Sequence, residues 1–297
     1  MTEAKRTPRL RRSMLITPGD RPERLARAVT LPADSVVFDL EDGVGPAQKP
    51  AARACIAEAL RTLDFAGRER VVRTNAAATP DFEADLAALP LDKLDAIFLP
   101  KAENPSDVTK LAAWLDANAP RQVDAHPIDI VVSIETPRGL LQALAIADAS
   151  PRISALFFGS GDYAMATGSA VTERSLAVPR ALIVAAASAA GLQAIDAAYF
   201  ASVKDAGATR TDALVAKELG FCGKLLFHPN QITVCNEVFS PSPAEIAHAR
   251  KIVAAWEVAQ KAGHGTAVAD GQFIAVDIAL MAERTLAIAR QAGLLAG

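Results

Sequence analysis

Cysteine is scarce. Cys55, Cys222 and Cys235 are scattered through 297 residues, with no CxxC pair and no Cys/His cluster. That pattern offers neither a disulfide framework nor a zinc site, and an odd number of unspaced thiols fits a reducing compartment. Long apolar runs are missing too: none approaches the ~18–20 residues of a spanning helix, so no membrane partner is expected. The opening "MTEAKRTPRLRRSM" has no apolar h-region, which argues against a secretory signal. Its Arg9, Arg11 and Arg12 imitate a nuclear or transit signal, but the rest reads as a metabolic enzyme, and the expected location is cytoplasmic. A formal net charge of −3 excludes an evidently basic nucleic-acid surface. No GxGxxG follows the first apolar run, so nothing supports dinucleotide binding.

What is present is a regular alternation. Apolar, β-branched runs bounded by turn residues occur at 13–17, 35–40, 70–74, 96–100, 129–135, 155–160, 192–197 and 224–228. Segments with apolar residues at i, i+3 and i+4 separate them. Pro50, Pro137 and Pro179 are read as lying near helix starts, and Gly191 and Gly220 just past helix ends. Strands alternating with helices require a parallel sheet, and eight such units close most economically into an α/β (β/α)₈ TIM barrel. An open doubly wound sheet is the alternative. The barrel domain is expected over residues 12–262. Residues 263–297 form a C-terminal helical extension, in which "FIAVDIALMAERTLAIARQAG" reads as an amphipathic helix packing on the barrel or a neighbouring subunit.

Chemistry in such barrels sits at the C-terminal strand ends, and here those ends are polar. Strand two ends in Asp39, Glu41 and Asp42; strand three in Arg73 and Asn75; strand four in Lys101 and Glu103. Strands five to eight bring Glu135, Asp162, Asp196 and His228. So many carboxylates against two or three cations repel one another unless a divalent ion sits among them. Oxygen donors without cysteine favour Mg²⁺ or Mn²⁺. Glu135 and Asp162, each closing a long hydrophobic strand before a turn, are the candidate ligands, and Gly159, Gly161 and Gly168 allow backbone to approach a ligand closely. The competing role for such acids is capping the following helices. Arg73 suits bidentate capture of a substrate carboxylate, or balances Asp39 and Glu41. Lys101 has a minor alternative as the Schiff-base lysine of a metal-free aldolase. His228 is read as a packing or hydrogen-bonding residue more than a base.

The segments "RSMLITPGDRPERLARA", "VVFDLEDGV", "VVRTN", "FLPKAE", "IVVSIETPRGLLQA", "FFGSGDYAMATG" and "GFCGKLLFHPNQI" occur in that order. Together they resemble the citrate lyase β-subunit family, within the HpcH/HpaI aldolase and malyl-CoA/citramalyl-CoA lyase group, over about residues 12 to 255. The resemblance implies a Mg²⁺-dependent carbon–carbon lyase on a TIM barrel, assembled as a homotrimer or hexamer. Its substrate would be a citryl-, citramalyl- or malyl-type thioester of CoA or acyl-carrier protein, cleaved by a retro-aldol/Claisen route to a keto acid and an acetyl thioester. By position it makes Glu135 and Asp162 the metal ligands and Arg73 the keto-acid clamp, with Glu135 and Gly161 also at the substrate. Asp39, Glu41 and Asp42 would hold metal-bound waters, and Ile16, Arg21, Arg27 and Pro229 would lie near CoA. One departure stands out: Ala275 occupies the position of an acid in malyl-CoA lyase relatives, with Asp277 two residues on. Rival readings are a CoA-independent 4-hydroxy-2-oxo acid aldolase and an accessory subunit of a multi-enzyme lyase. In the second, the arm before residue 12 and the altered C-terminal helix would dock partners.

Overall fold

A computed structural model describes residues 9–119, 127–198 and 201–295. Most of the N-terminal arm lies outside the described residues. All eight expected strands are present: β1 (Ser13–Pro18), β2 (Ser35–Asp39), β3 (Glu69–Arg73), β4 (Ala96–Leu99), β5 (Asp129–Ile134), β6 (Ile153–Phe158), β7 (Gln193–Ala197) and β8 (Gly223–Leu226). They pair in sequence order, every pair parallel, and β8 closes on β1. The helices of the barrel are α1 (Pro22–Ala28), α2 (Lys49–Thr62), α3 (Asp81–Ala88), α4 (Pro105–Asn118), α5 (Pro137–Leu141), α6 (Ala143–Ala147), α7 (Ser160–Thr167), α8 (Glu173–Ala189), α9 (Ala206–Leu219) and α10 (Asn230–Val238). The protein is a TIM barrel, and among its described residues no helix is long and apolar enough to cross a membrane.

Strand parity sorts the side chains. Met14, Val37, Val71, Phe98, Val131 and Phe157 fill the barrel interior in one cluster. The sheet's alternation then points every second residue of each strand inward and the others toward the helices. The basic run near the start closes the lower end. Arg11, 1% exposed, donates to Glu69 at 2.6–3.1 Å and to Gln193 at 2.9 Å, while Arg9 and Arg12 pair with Asp95 and Asp34. These arginines are consumed by the fold rather than displayed as a signal.

Two details differ from the sequence reading. Pro179 stands inside α8, not at its start, because Thr172 and Ser175 form a capping box that begins the helix at Glu173. The two compact units meet between Asn236 and Glu237, not at 262/263. The physical reason is packing within the second unit: Ile246, Ala249 and Ile252 of α11 (Pro243–Lys261) bury against Ala279, Ala282 and Leu286 of α12 (Val276–Gln291). A hairpin of β9 (Ala267–Ala269) and β10 (Gln272–Ile274) precedes α12 and takes Phe273 and Ile274 out of the expected helix. Its two-residue turn places Asp270 at φ 51° and Gly271 at φ 78°, the pair of positive values a tight hairpin turn demands.

Candidate active site

Parity decides which polar residues meet. Asp39, Arg73 and Glu135 continue the inward-facing series of Val37, Val71 and Val131. Asp39 and Arg73 are direct neighbours in register. Arg73 therefore grips Asp39 through Nε and a terminal nitrogen, both at 2.7 Å, and reaches Glu41 at 3.0 Å. Asp39 also accepts the backbone N–H groups of Glu41 and Gly43, each at 2.9 Å. That turn folds the acidic loop back over the strand. Gly43 is needed there, because a side chain on it would collide with the Asp39 carboxylate. A second prop is Asn75, whose Nδ2 donates to the Leu40 carbonyl (3.0 Å) and to Asp85 (2.7 Å), while Lys49 reaches both Leu40 and Asn75.

Lys101 lies across the cluster, its ammonium 2.7 Å from Glu41 Oε1 and 2.7 Å from Asp42 Oδ2. Burial works to lower its pKa, but the bonds to Asp42 and Glu41 outweigh it and the net shift is upward. A cation so held is not the free amine that Schiff-base chemistry needs. Arg73 is likewise pushed up: burial opposes its charge, and Asp39, Glu41 and Glu135 more than restore it. Glu41 moves up because burial outweighs the pull of Arg73 and Lys101.

Glu135 is a strongly perturbed acid. It is 2% exposed at the end of β5. Burial, then the charges of Glu41 and Asp162, push its carboxyl up to about 8, against the Lys101 N–H and Arg73. Its Oε1 accepts the Lys101 backbone N–H at 2.7 Å. Its other side lies against Gly159, where any side chain would strike Glu135 Cβ and Oε2. Asp162 stands half-buried in the first turn of α7, two residues beyond Ser160 and next to the half-buried Gly161. Among the described residues no group of three or more His, Cys, Asp or Glu side chains converges on a metal position. Two carboxylates under mutual repulsion make a donor set suited to Mg²⁺, which is commonly bound through one or two carboxylates. Glu135 and Asp162 are the residues able to hold it.

The remaining candidates lie apart from this cluster. Ile16 is half-buried on β1 against the barrel core. Arg21 and Arg27 are solvent-exposed at the two ends of α1, with Arg21 Nε 3.5 Å from Asp20. Pro229 is half-buried at the start of α10, where its carbonyl accepts the Ile232 N–H. His228 Nδ1 accepts the Asn230 N–H at 3.2 Å, a structural contact. Asp196, read from the sequence as part of the acidic rim, is excluded from it. Its neighbours Ile195 and Ala197 face the barrel interior, so Asp196 faces the helices. There it is fully buried with Arg180 and Lys224, and both cations also pair with Asp212. The sequence reading missed Lys49, Asp85 and the Lys101 backbone donor; the last has no signature in residue type.

Fold and site together define a class: a (β/α)₈ barrel with a carboxylate-rich, cation-braced centre at the C-terminal ends of its strands. The pattern of the HpcH/HpaI aldolase/citrate lyase family matches residues 12–229, and the chain belongs to that family of enzymes. It is 38% identical to a (3S)-malyl-CoA thioesterase of Cereibacter sphaeroides over 93% of each chain. It is 34% identical to the citrate lyase subunit beta of Leuconostoc mesenteroides subsp. cremoris, covering 95% of this chain and 94% of that one. Among solved structures, CitE of Mycobacterium tuberculosis, in complex with magnesium, acetoacetate and coenzyme A, superposes with a TM-score of 0.73 at 33% identity, covering 95% of this chain and 97% of that one.

Proposed function

We propose that the chain is a Mg²⁺-dependent carbon–carbon lyase cleaving a citryl-, citramalyl- or malyl-type β-hydroxyacyl thioester to a keto acid and an acetyl thioester. The observation that carries this reading is Glu135, a buried acid crowded by Asp162 and Glu41 beside an arginine. Glu135 and Asp162 would hold Mg²⁺, which when bound would supply Lewis-acid polarisation of the substrate; Mn²⁺ would serve as well. Arg73 spends two of its five N–H donors on Asp39 and sets its other terminal nitrogen 3.0 Å from Glu41, leaving terminal N–H groups to hold the keto-acid carboxylate. Glu41 and Asp42, fixed by Lys101, would accept hydrogen bonds from water held at the mouth. As the hydroxyl proton leaves, the carbon–carbon bond breaks and its electron pair passes into the thioester, which takes up a proton to become the acetyl product. The amide of Gly161, in the first turn of α7, has no acceptor within the helix and would be available to a substrate oxygen.

The relatives named for CoA thioesters favour CoA over a free hydroxy-oxo acid, and the exposed Arg21 and Arg27 suit its phosphates, with Ile16 and Pro229 lining the approach. Ala275, the N-cap residue of α12, places no carboxylate where the resemblance puts an acid, so malyl-CoA-type condensation and hydrolysis would lack that group and the enolate would take its proton from another. Val268, Phe273, Leu280 and Met281 of the C-terminal unit are each at least 57% exposed, which favours a homotrimer or hexamer that covers them. Three free cysteines favour the cytoplasm.

The test offers malyl-, citramalyl- and citryl-CoA in turn, with Mg²⁺ or with EDTA, to the chain and to Glu135→Ala. Keto-acid release from one of them, absent with EDTA and in the variant, is expected. Release that persists in EDTA, or none from any of the three, overturns the reading.

A further inference from the structure

Lys101 has a left-handed backbone, φ 52°, two residues past the end of β4. Few residues other than glycine sit there unless the surroundings hold them. Two sets of contacts do so. The turn is stitched to β5 at consecutive amides: Lys101 N–H donates to Glu135 Oε1 at 2.7 Å, and Ala102 N–H to the Ser133 carbonyl at 3.1 Å. At the other end of the same residue, the ammonium is clamped at 2.7 Å between Glu41 and Asp42 of the loop after β2. Glu135 thereby has one oxygen held by a backbone donor and the other packed over Gly159.

We propose that Lys101 is a positioning residue: its ammonium, anchored on Glu41 and Asp42, braces a left-handed turn whose amide holds Glu135 in the orientation that meets the metal. The proposal rests on reading Glu135 as a metal ligand. It assigns the lysine neither a covalent nor an acid–base step. The part played by its charge is to hold the backbone, and the part played by its backbone is to hold the carboxylate.

Two substitutions separate these parts. Lys101→Met keeps the length of the stem and removes the clamp; Lys101→Gly removes the clamp but adopts the left-handed conformation without strain. Two quantities are read on each: hydrogen exchange of the residue-101 amide in metal-free protein, and Mg²⁺ affinity by calorimetry. In the unaltered chain the amide is slow. Lys101→Met exchanges it faster and binds Mg²⁺ about 10-fold more weakly, the size of loss usual for an outer-shell partner. Lys101→Gly keeps the amide slow and recovers most of the affinity. A Met variant unchanged in both readouts overturns the proposal, and so does a Gly variant as impaired as the Met one, since charge alone would then explain the loss. The exchange measurement needs no metal. If the unaltered chain fails to bind Mg²⁺, the metal reading falls, while the amide still decides whether Lys101 holds Glu135.

Discussion

Gly159 carries no side chain, and the geometry of Glu135 depends on that, since the smallest addition would meet Glu135 Cβ and Oε2. Gly159→Ala is therefore expected to displace the carboxylate, weakening Mg²⁺ binding and lowering keto-acid release by about 10-fold or more while the chain stays folded. Calorimetry beside circular dichroism checks both halves. Glu135 also predicts a pH dependence. Its proton is held more tightly in the folded chain than in the unfolded one, with a folded value of about 8. Without metal, its contribution to stability is full below the ordinary carboxylate range and is lost as pH rises through that value. Magnesium competes with that proton, so affinity should climb with pH, by at most about tenfold per unit, and level off once Glu135 is ionised. An affinity flat from about pH 6 to about pH 9 would show that Glu135 does not lose a proton to the metal. At this scale the sequence was informative where a residue type is unusual at a strand end, as with Glu135 and Asp39. It was silent on Lys101, whose contribution to Glu135 is a main-chain N–H that any residue but proline would carry.

At the scale of elements, the eight strands were legible because each is a short β-branched run between turn residues. What propensity did not resolve was which way each end points. Asp196 and Asp39 look alike in sequence, both acids near the close of an apolar strand. Parity sends Asp39 to the mouth and Asp196 to the helix layer, where Arg180 and Lys224 meet it. Asp196→Ala would leave two cations buried with only Asp212 between them, and removing one partner from a buried pair costs about 3–5 kcal/mol. Thermal denaturation should show that loss, with Mg²⁺ affinity unchanged in the protein that remains folded. The β9–β10 hairpin was overlooked for a different reason. Its strands have three residues each, too short for a period to register, although Asp270-Gly271 is a strong local turn signal. Gly271→Val would force a branched side chain to φ 78° and should destabilise the C-terminal unit by about 1–2 kcal/mol.

For the whole molecule, the chain closes its barrel from both ends with charge. Below, Arg11 is buried against Glu69; above, Arg73 and Lys101 bind the acidic loop. The lower set is balanced by its own partners. The upper set leaves Glu135 and Asp162 in excess, and that imbalance is what the proposed metal would balance. The fold and the family were readable from the order of motifs. The unit boundary was not, because the packing of α11 on α12 is a long-range choice that local pattern does not encode. In the proposed function this excess of negative charge serves cleavage of a carbon–carbon bond, not of the thioester. The most direct measurement is the identity of the thioester product, by mass spectrometry, after complete turnover of the accepted CoA substrate with Mg²⁺. Acetyl-CoA in one-to-one yield with keto acid is the expected result. Free CoA with the intact hydroxy acid would contradict it.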